Sequence, residues 1–86
     1  MTELKSKYQY IYFEEEMDRA TAKTEVWACR NNKSGHLLGE VLWENGWRQY
    51  IFFTMPDIVL SVGCLMDVAH FVGEMNMRHK EKRATP

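Results

Sequence analysis

No apolar run in this sequence approaches the eighteen or so residues that a membrane-spanning helix needs, so the chain is not expected to cross a bilayer. Cysteine is scarce: Cys29 and Cys64 are the only two, far apart and set in apolar surroundings. That usage predicts buried, reduced thiols, which together with the lack of a secretory leader at the N-terminus predicts a cytoplasmic protein. An excess of charge of either sign is also missing. The formal net charge is -1, so no whole-molecule field is available to attract nucleic acid, although a local basic patch is compatible with that total. Proline occurs only twice, low-complexity tracts are absent, and 45% of the residues are hydrophobic, which excludes disorder as the native state.

What is abundant is aromatic surface. Three Trp, four Tyr and four Phe among 86 residues let a small single domain bury a large area per side chain. Their spacing is strand-like. Tyr8–Phe13 alternates around Tyr8, Tyr10 and Tyr12, and three further runs over 24–31, 37–44 and 47–54 are rich in β-branched and aromatic residues. Asn32-Lys33-Ser34-Gly35 and Asn45-Gly46 separate the last three as turns, the second as a two-residue hairpin turn. Met55-Pro56-Asp57 ends the fourth strand, because proline cannot donate to a ladder.

Beyond it, Ser61 is placed to cap a helix over about 61–79, with an apolar stripe at Leu65, Val68, Ala69, Val72 and Met75. The tail from 81 is expected to fray. The sequence therefore predicts one α+β domain over 1–86, a four-stranded antiparallel meander packed on a single C-terminal helix (ββββα).

A two-residue Asn45-Gly46 turn pairs Glu44 with Trp47 and Trp43 with Arg48. One sheet face then carries Val41, Trp43, Arg48, Tyr50 and Phe52, joined by Trp27 and Cys29, and the helix is expected there. The opposite face presents Leu38, Leu42, Trp47, Ile51 and Phe53 among charges, with no helix left to cover it. Those five residues are the expected interface of a homo-oligomer.

Catalytic signals are weak. Asp67, His70 and Glu74 share a helix face but lack a fourth metal ligand, and an ion-paired solvated face explains them. Cys64 and His70 fall on different sides of the helix, and Cys29 reaches His36 only across a turn. No enzyme, metal or cofactor is implied, and a small metal- or Cys-dependent enzyme is the remote reading. Binding signals are stronger. Trp43, Trp47, Arg48 and Tyr50 are residue types that dominate binding hot spots and that stack planar rings. Lys33 and His36, with Ser34 and Gly35, have the donors of an anion-binding turn.

Lys23-Thr24, Trp27, Ser34-Gly35, Leu38-Gly39, Trp43, Trp47-Arg48-Gln49-Tyr50 and Phe53, with Leu65, Asp67 and Phe71, resemble a family of small phage- and prophage-encoded proteins. Most members carry no assigned function. The shared pattern is K-T-x-x-W, S-G-x-x-L-G-x-x-x-W and W-R-Q-Y-x-F, and it covers about Lys23 to Phe71. The resemblance implies an accessory factor in the host cytoplasm that occupies a host protein or sequesters a signalling nucleotide. It implies no catalytic residue. The expected partners are thus a second copy, a host protein or a nucleotide, with membrane excluded and nucleic acid disfavoured.

Overall fold

The computed structural model describes residues 4–84, with side chains described as far as Lys82. Four strands, β1 (Ile11–Glu15), β2 (Trp27–Asn31), β3 (Leu37–Glu44) and β4 (Gln49–Thr54), form one antiparallel sheet in sequence order. A 3-10 turn at Met17–Arg19 follows β1, and a single helix, α1 (Val62–Ala84), returns along the sheet. The meander and its one helix are those expected from the sequence. Among the described residues no helix is long and apolar enough to cross a membrane.

The first strand begins later than its tyrosine alternation suggests. The Tyr8 amide donates to the Ile11 carbonyl, which turns the chain before β1 starts. Asn32 holds that turn by donating its side-chain amide to the carbonyls of Tyr8 and Gln9. The buried residues of β1 are consequently Ile11 and Phe13, while Tyr10 faces solvent.

The β3–β4 hairpin differs from expectation by two residues. Glu44 pairs with Gln49 and Trp43 with Tyr50, around a four-residue turn at 45–48. The two-residue I′ and II′ turns both need positive φ at the first central residue, which Asn45 does not adopt. Here the side chains close a wider loop instead: Glu44 Oε1 accepts from the Gly46 amide, Asn45 Oδ1 accepts from the Trp43 indole, and the Arg48 amide donates to the Glu44 carbonyl at 2.7 Å. Because the displacement is even, each residue keeps its face. Val41, Trp43, Tyr50 and Phe52 still share the helix side.

The core comprises Ile11, Phe13, Cys29, Leu38, Val41, Tyr50, Val68, Phe71 and Met75. The helix is rotated relative to the predicted stripe. Val68, Phe71 and Met75 are buried, Cys64 and Val72 are half-buried, and Leu65 is 51% exposed with Ala69 outside as well. Phe71 sets the rotation. Its ring stacks on Phe13 at 3.9 Å between centroids and meets Trp27 edge-on at 5.2 Å. Burying a Phe removes more apolar area than burying Leu65 and Ala69 halfway.

Ser61 caps α1, its hydroxyl accepting from the Cys64 amide. The helix runs to Ala84 rather than stopping near 79, and Lys82 reaches Glu25 at 3.6 Å from its last turns. The rest of the expected frayed tail, Thr85 and Pro86, lies outside the described residues.

Two close fits fix the sheet. Opposite the step from Cys29 to Arg30, β3 bulges between Leu37 and Gly39, and Leu38 turns into the core at 8% exposure. Its place on the open face is therefore corrected: a bulge breaks the strict alternation on which that placement rested. At Gly39, an added Cβ would stand 2.5 Å from Phe52 Cζ and 2.7 Å from the Phe53 carbonyl oxygen, so only glycine fits under that ring. The outer edge of β4 is closed at Tyr50 by Asn76. Its side chain accepts from the Tyr50 amide at 2.6 Å and donates to the Tyr50 carbonyl at 3.3 Å.

Candidate binding groove

The loop entering β2, the 45–48 turn and the last turns of α1 meet at one end of the sheet. Between them lies a groove of about 790 Å³. Thr21 builds the first wall: its hydroxyl accepts from the amides of both Lys23 and Thr24 and pairs with the Thr24 hydroxyl. This hydroxyl-centred turn sets Lys23 and Thr24 on the lining. The second wall is the β3–β4 turn, which contributes Asn45 and Arg48. Arg48 holds φ at 55°, a left-handed conformation that costs an L-residue about 1–2 kcal/mol. The third wall is His79 and Lys82 of α1, and Val26, Leu42 and Trp43 supply apolar surface.

Among the described residues four formal cations, Arg19, Lys23, Arg48 and Lys82, line this space together with His79, and no carboxylate does. They are not equally available. Arg19 is shared between Glu16, at 2.9 Å, and Glu40, and Lys82 lies near Glu25. Hydrogen bonding to Glu40 is the main reason the Arg19 guanidinium is held above its ordinary proton affinity, with the Glu40 charge adding to it. By contrast, Lys23 and Arg48 have no carboxylate oxygen within ion-pair distance among the described residues. Lys23 and Arg48 are thus the two lining cations whose charge is not offset by a carboxylate among the described residues.

Trp43 is oriented by its neighbours. Its indole N–H donates to Asn45 Oδ1 at 3.0 Å, Tyr50 meets the ring edge-on at 5.4 Å, and the His79 imidazole leans on it at 4.4 Å. Its one polar atom is thus engaged, and the indole offers the groove apolar π surface.

The residues singled out in the sequence separate into three groups. Trp43 and Arg48 line the groove. Trp47 sits at the crest of the same turn, 71% exposed, but outside the lining. Tyr50 is a core residue at 3% exposure, its hydroxyl accepting from the Glu25 amide, and burial raises the proton affinity of that phenol. Its assignment as a contact residue is corrected, since no ligand can reach it without opening the core.

Lys33 and His36 lie at the opposite end of the sheet, in the β2–β3 turn. There the amides of Lys33 and Ser34 already donate to Asn31 Oδ1, and the His36 amide donates to the Ser34 hydroxyl. The backbone amides of this turn are thus taken by its own side chains, and Lys33 and His36 lie outside the lining of the groove at the other end of the sheet.

Of the expected interface residues other than Leu38, Leu42 and Ile51 are half-buried on the open face and Phe53 is 58% exposed beside them. The β1–β2 half of that face is covered by ion pairs, Glu14 with Arg30 at 2.9 Å and Arg19 with Glu16 and Glu40.

Sequence reasoning missed Arg19, Thr21, Lys23, Thr24, Val26, Asn45, His79 and Lys82 as groove residues. The Thr21-x-x-Thr24 spacing is a turn signal that was available; the approach of the α1 terminus is a tertiary event without a local mark.

Chemically reactive groups are held quiet elsewhere. Burial, with Cys64 nearby, pushes the Cys29 thiol up to about 12, so it stays protonated at neutral pH. His70 bonds the Tyr8 hydroxyl through Nδ1 at 2.8 Å and lies 4.0 Å from Glu74 through Nε2. Burial and the charges of Asp67 and Glu74 push the Tyr8 phenol up to about 12. Among the described residues no group of three ligating side chains is positioned to hold a metal ion.

No family model, curated protein or solved structure matches this chain.

Proposed function

We propose that this chain is a non-enzymatic binding protein that holds a small anionic ligand in the groove at the 45–48 end of the sheet. The observation that carries this reading is the lining itself: among the described residues it holds four cations, two of them without a carboxylate partner, and no acidic side chain. The groove's volume falls within the range of small-molecule sites, roughly 300–1,000 Å³, and is large for a lone ion. With the resemblance to phage proteins, the reading becomes an accessory factor in a host cytoplasm that acts by withholding its ligand.

Thermal denaturation with pyrophosphate, tripolyphosphate, citrate and uncharged sugars tests it. A ligand that binds only the native state stabilises it by about 2.7 kcal/mol at a hundredfold excess over Kd. The anions should raise Tm and the sugars should not. An unchanged Tm with every anion up to 10 mM (about the weakest useful affinity) would reject the groove as an anion site.

A second reading rests on a different observation. Phe53 and Trp47 are large, apolar and solvent-exposed, with Leu42 and Ile51 adjoining on the open face. Self-association through that surface is supported by their exposure. Light scattering across micromolar concentrations decides it, and a monomer throughout removes it.

A further inference from the structure

Resting on the anion-binding reading above, we infer that the ligand is a phosphate ester of a planar heterocycle, the chemistry of a nucleotide. Phosphate follows from the charges. Lys23 and Arg48 enter from separate loops without a carboxylate partner among the described residues, and together they match a group carrying ≈ −1.5 to −2 charge better than a single carboxylate. Arg48 adds a planar fork that donates two parallel hydrogen bonds to phosphate oxygens. The turn accepts a left-handed arginine to place that fork, a position where glycine would sit without strain.

The ring follows from the apolar wall. An inorganic anion gains nothing from lying beside Val26, Leu42 and Trp43. A flat heterocycle gains stacking on the indole, whose only polar atom is occupied by Asn45. His79 already packs on Trp43 at 4.4 Å between ring centroids, so the heterocycle takes indole surface that His79 leaves to the groove. The Thr21 hydroxyl is spent within its own turn, accepting from two amides and pairing with Thr24, which leaves the Thr24 hydroxyl with bonding capacity on that wall.

Isothermal titration of the wild-type chain with four probes separates the parts: a purine nucleoside monophosphate, its nucleoside, ribose 5-phosphate and pyrophosphate. The nucleotide should bind about tenfold or more tighter than ribose 5-phosphate, the size of one stacked base. It should also bind at least tenfold tighter than the nucleoside.

Equal affinity for the nucleotide and ribose 5-phosphate would overturn the ring while leaving the anion site standing. Equal affinity for the nucleotide and nucleoside would overturn the phosphate. No binding of any probe, with pyrophosphate also silent, would overturn both this inference and the reading beneath it. Binding only of a single-stranded oligonucleotide would overturn it in favour of a nucleic-acid site. Trp43→Phe, which keeps an aromatic ring and so protects the fold, should weaken the nucleotide more than it weakens pyrophosphate. An equal loss for both would place Trp43 outside the ring contact.

Discussion

The two ends of the meander are built from similar turns and are left in opposite states. The β2–β3 turn and the β3–β4 turn each contain asparagine, a cation and one residue of positive φ. At the first, Gly35 takes the left-handed position at φ 73°, and Asn31 and Ser34 absorb the free amides. At the second, an arginine takes that position, and the side-chain acceptors are spent on orienting Trp43 and Gly46. One turn is closed upon itself; the other holds a cation toward a groove. A basic residue in a turn therefore says little until the destinations of the surrounding hydrogen bonds are known.

Changes at the closed end should cost stability and those at the groove should cost binding. Gly39→Ala carries the largest expected effect. Its Cβ meets a backbone oxygen as well as the Phe52 ring, and overpacking of this kind costs about 1–3 kcal/mol, read as a fall in the denaturant midpoint. Lys23→Ala combined with Arg48→Ala should lower affinity for pyrophosphate about a hundredfold, in line with losing two charge-assisted contacts, while Tm without ligand barely changes. Lys33→Ala should leave the same affinity untouched. If Lys33→Ala matched the double variant, the contrast between the ends would fail.

A smaller effect follows from exchanging the left-handed residues. Gly35→Ala should destabilise by about 1 kcal/mol, whereas Arg48→Gly should leave stability unchanged or slightly raised while weakening the anion. Equilibrium unfolding of both variants reads the two signs.

The smallest expected effect lies at the acidic pair gripping Arg19. Hydrogen bonding with Glu40 chiefly, then desolvation and the Glu40 charge, raise the Glu16 carboxyl above its usual range, partly countered by Arg19. A raised carboxyl contributes stability below its unfolded value and loses it as pH climbs through the folded one. Glu16→Gln should remove that decline, so the variant gains on the wild type between acidic and neutral pH. Solvent screening keeps the gain under about 1 kcal/mol. Parallel pH–stability curves for the two proteins would contradict this account.

Much of the fold was legible because its signals are local. Pro56 ends β4, Ser61 caps the helix, and alternating aromatics mark the strands. The sheet face taken by the helix was also legible, since a register error of two residues returns every side chain to its own side. What escaped depended on distant partners. Phe71 rotated α1 because Phe13, fifty-eight positions earlier, offered a ring to stack on. Leu38 left the open face through a bulge that no composition marks. The groove was half legible: Trp43 and Arg48 announced themselves as residue types, whereas His79 joined through the packing of the helix terminus on Trp43 and Lys82 only because the helix continued past its expected end.

Asn76 gives the sheet a boundary. A side-chain amide carries the same donor and acceptor as a peptide group, so at Tyr50 the edge meets the equivalent of one residue of a fifth strand. The opposite edge is treated alike, with Phe13 donating to the Ser6 carbonyl and Lys7 bridged to Tyr12. Each margin is thereby finished by the chain's own atoms at these positions, where strand-by-strand growth into a ribbon would otherwise begin. A molecule so terminated is guarded at these positions against edge-to-edge association, a property that the proposed role as a stoichiometric trap would require.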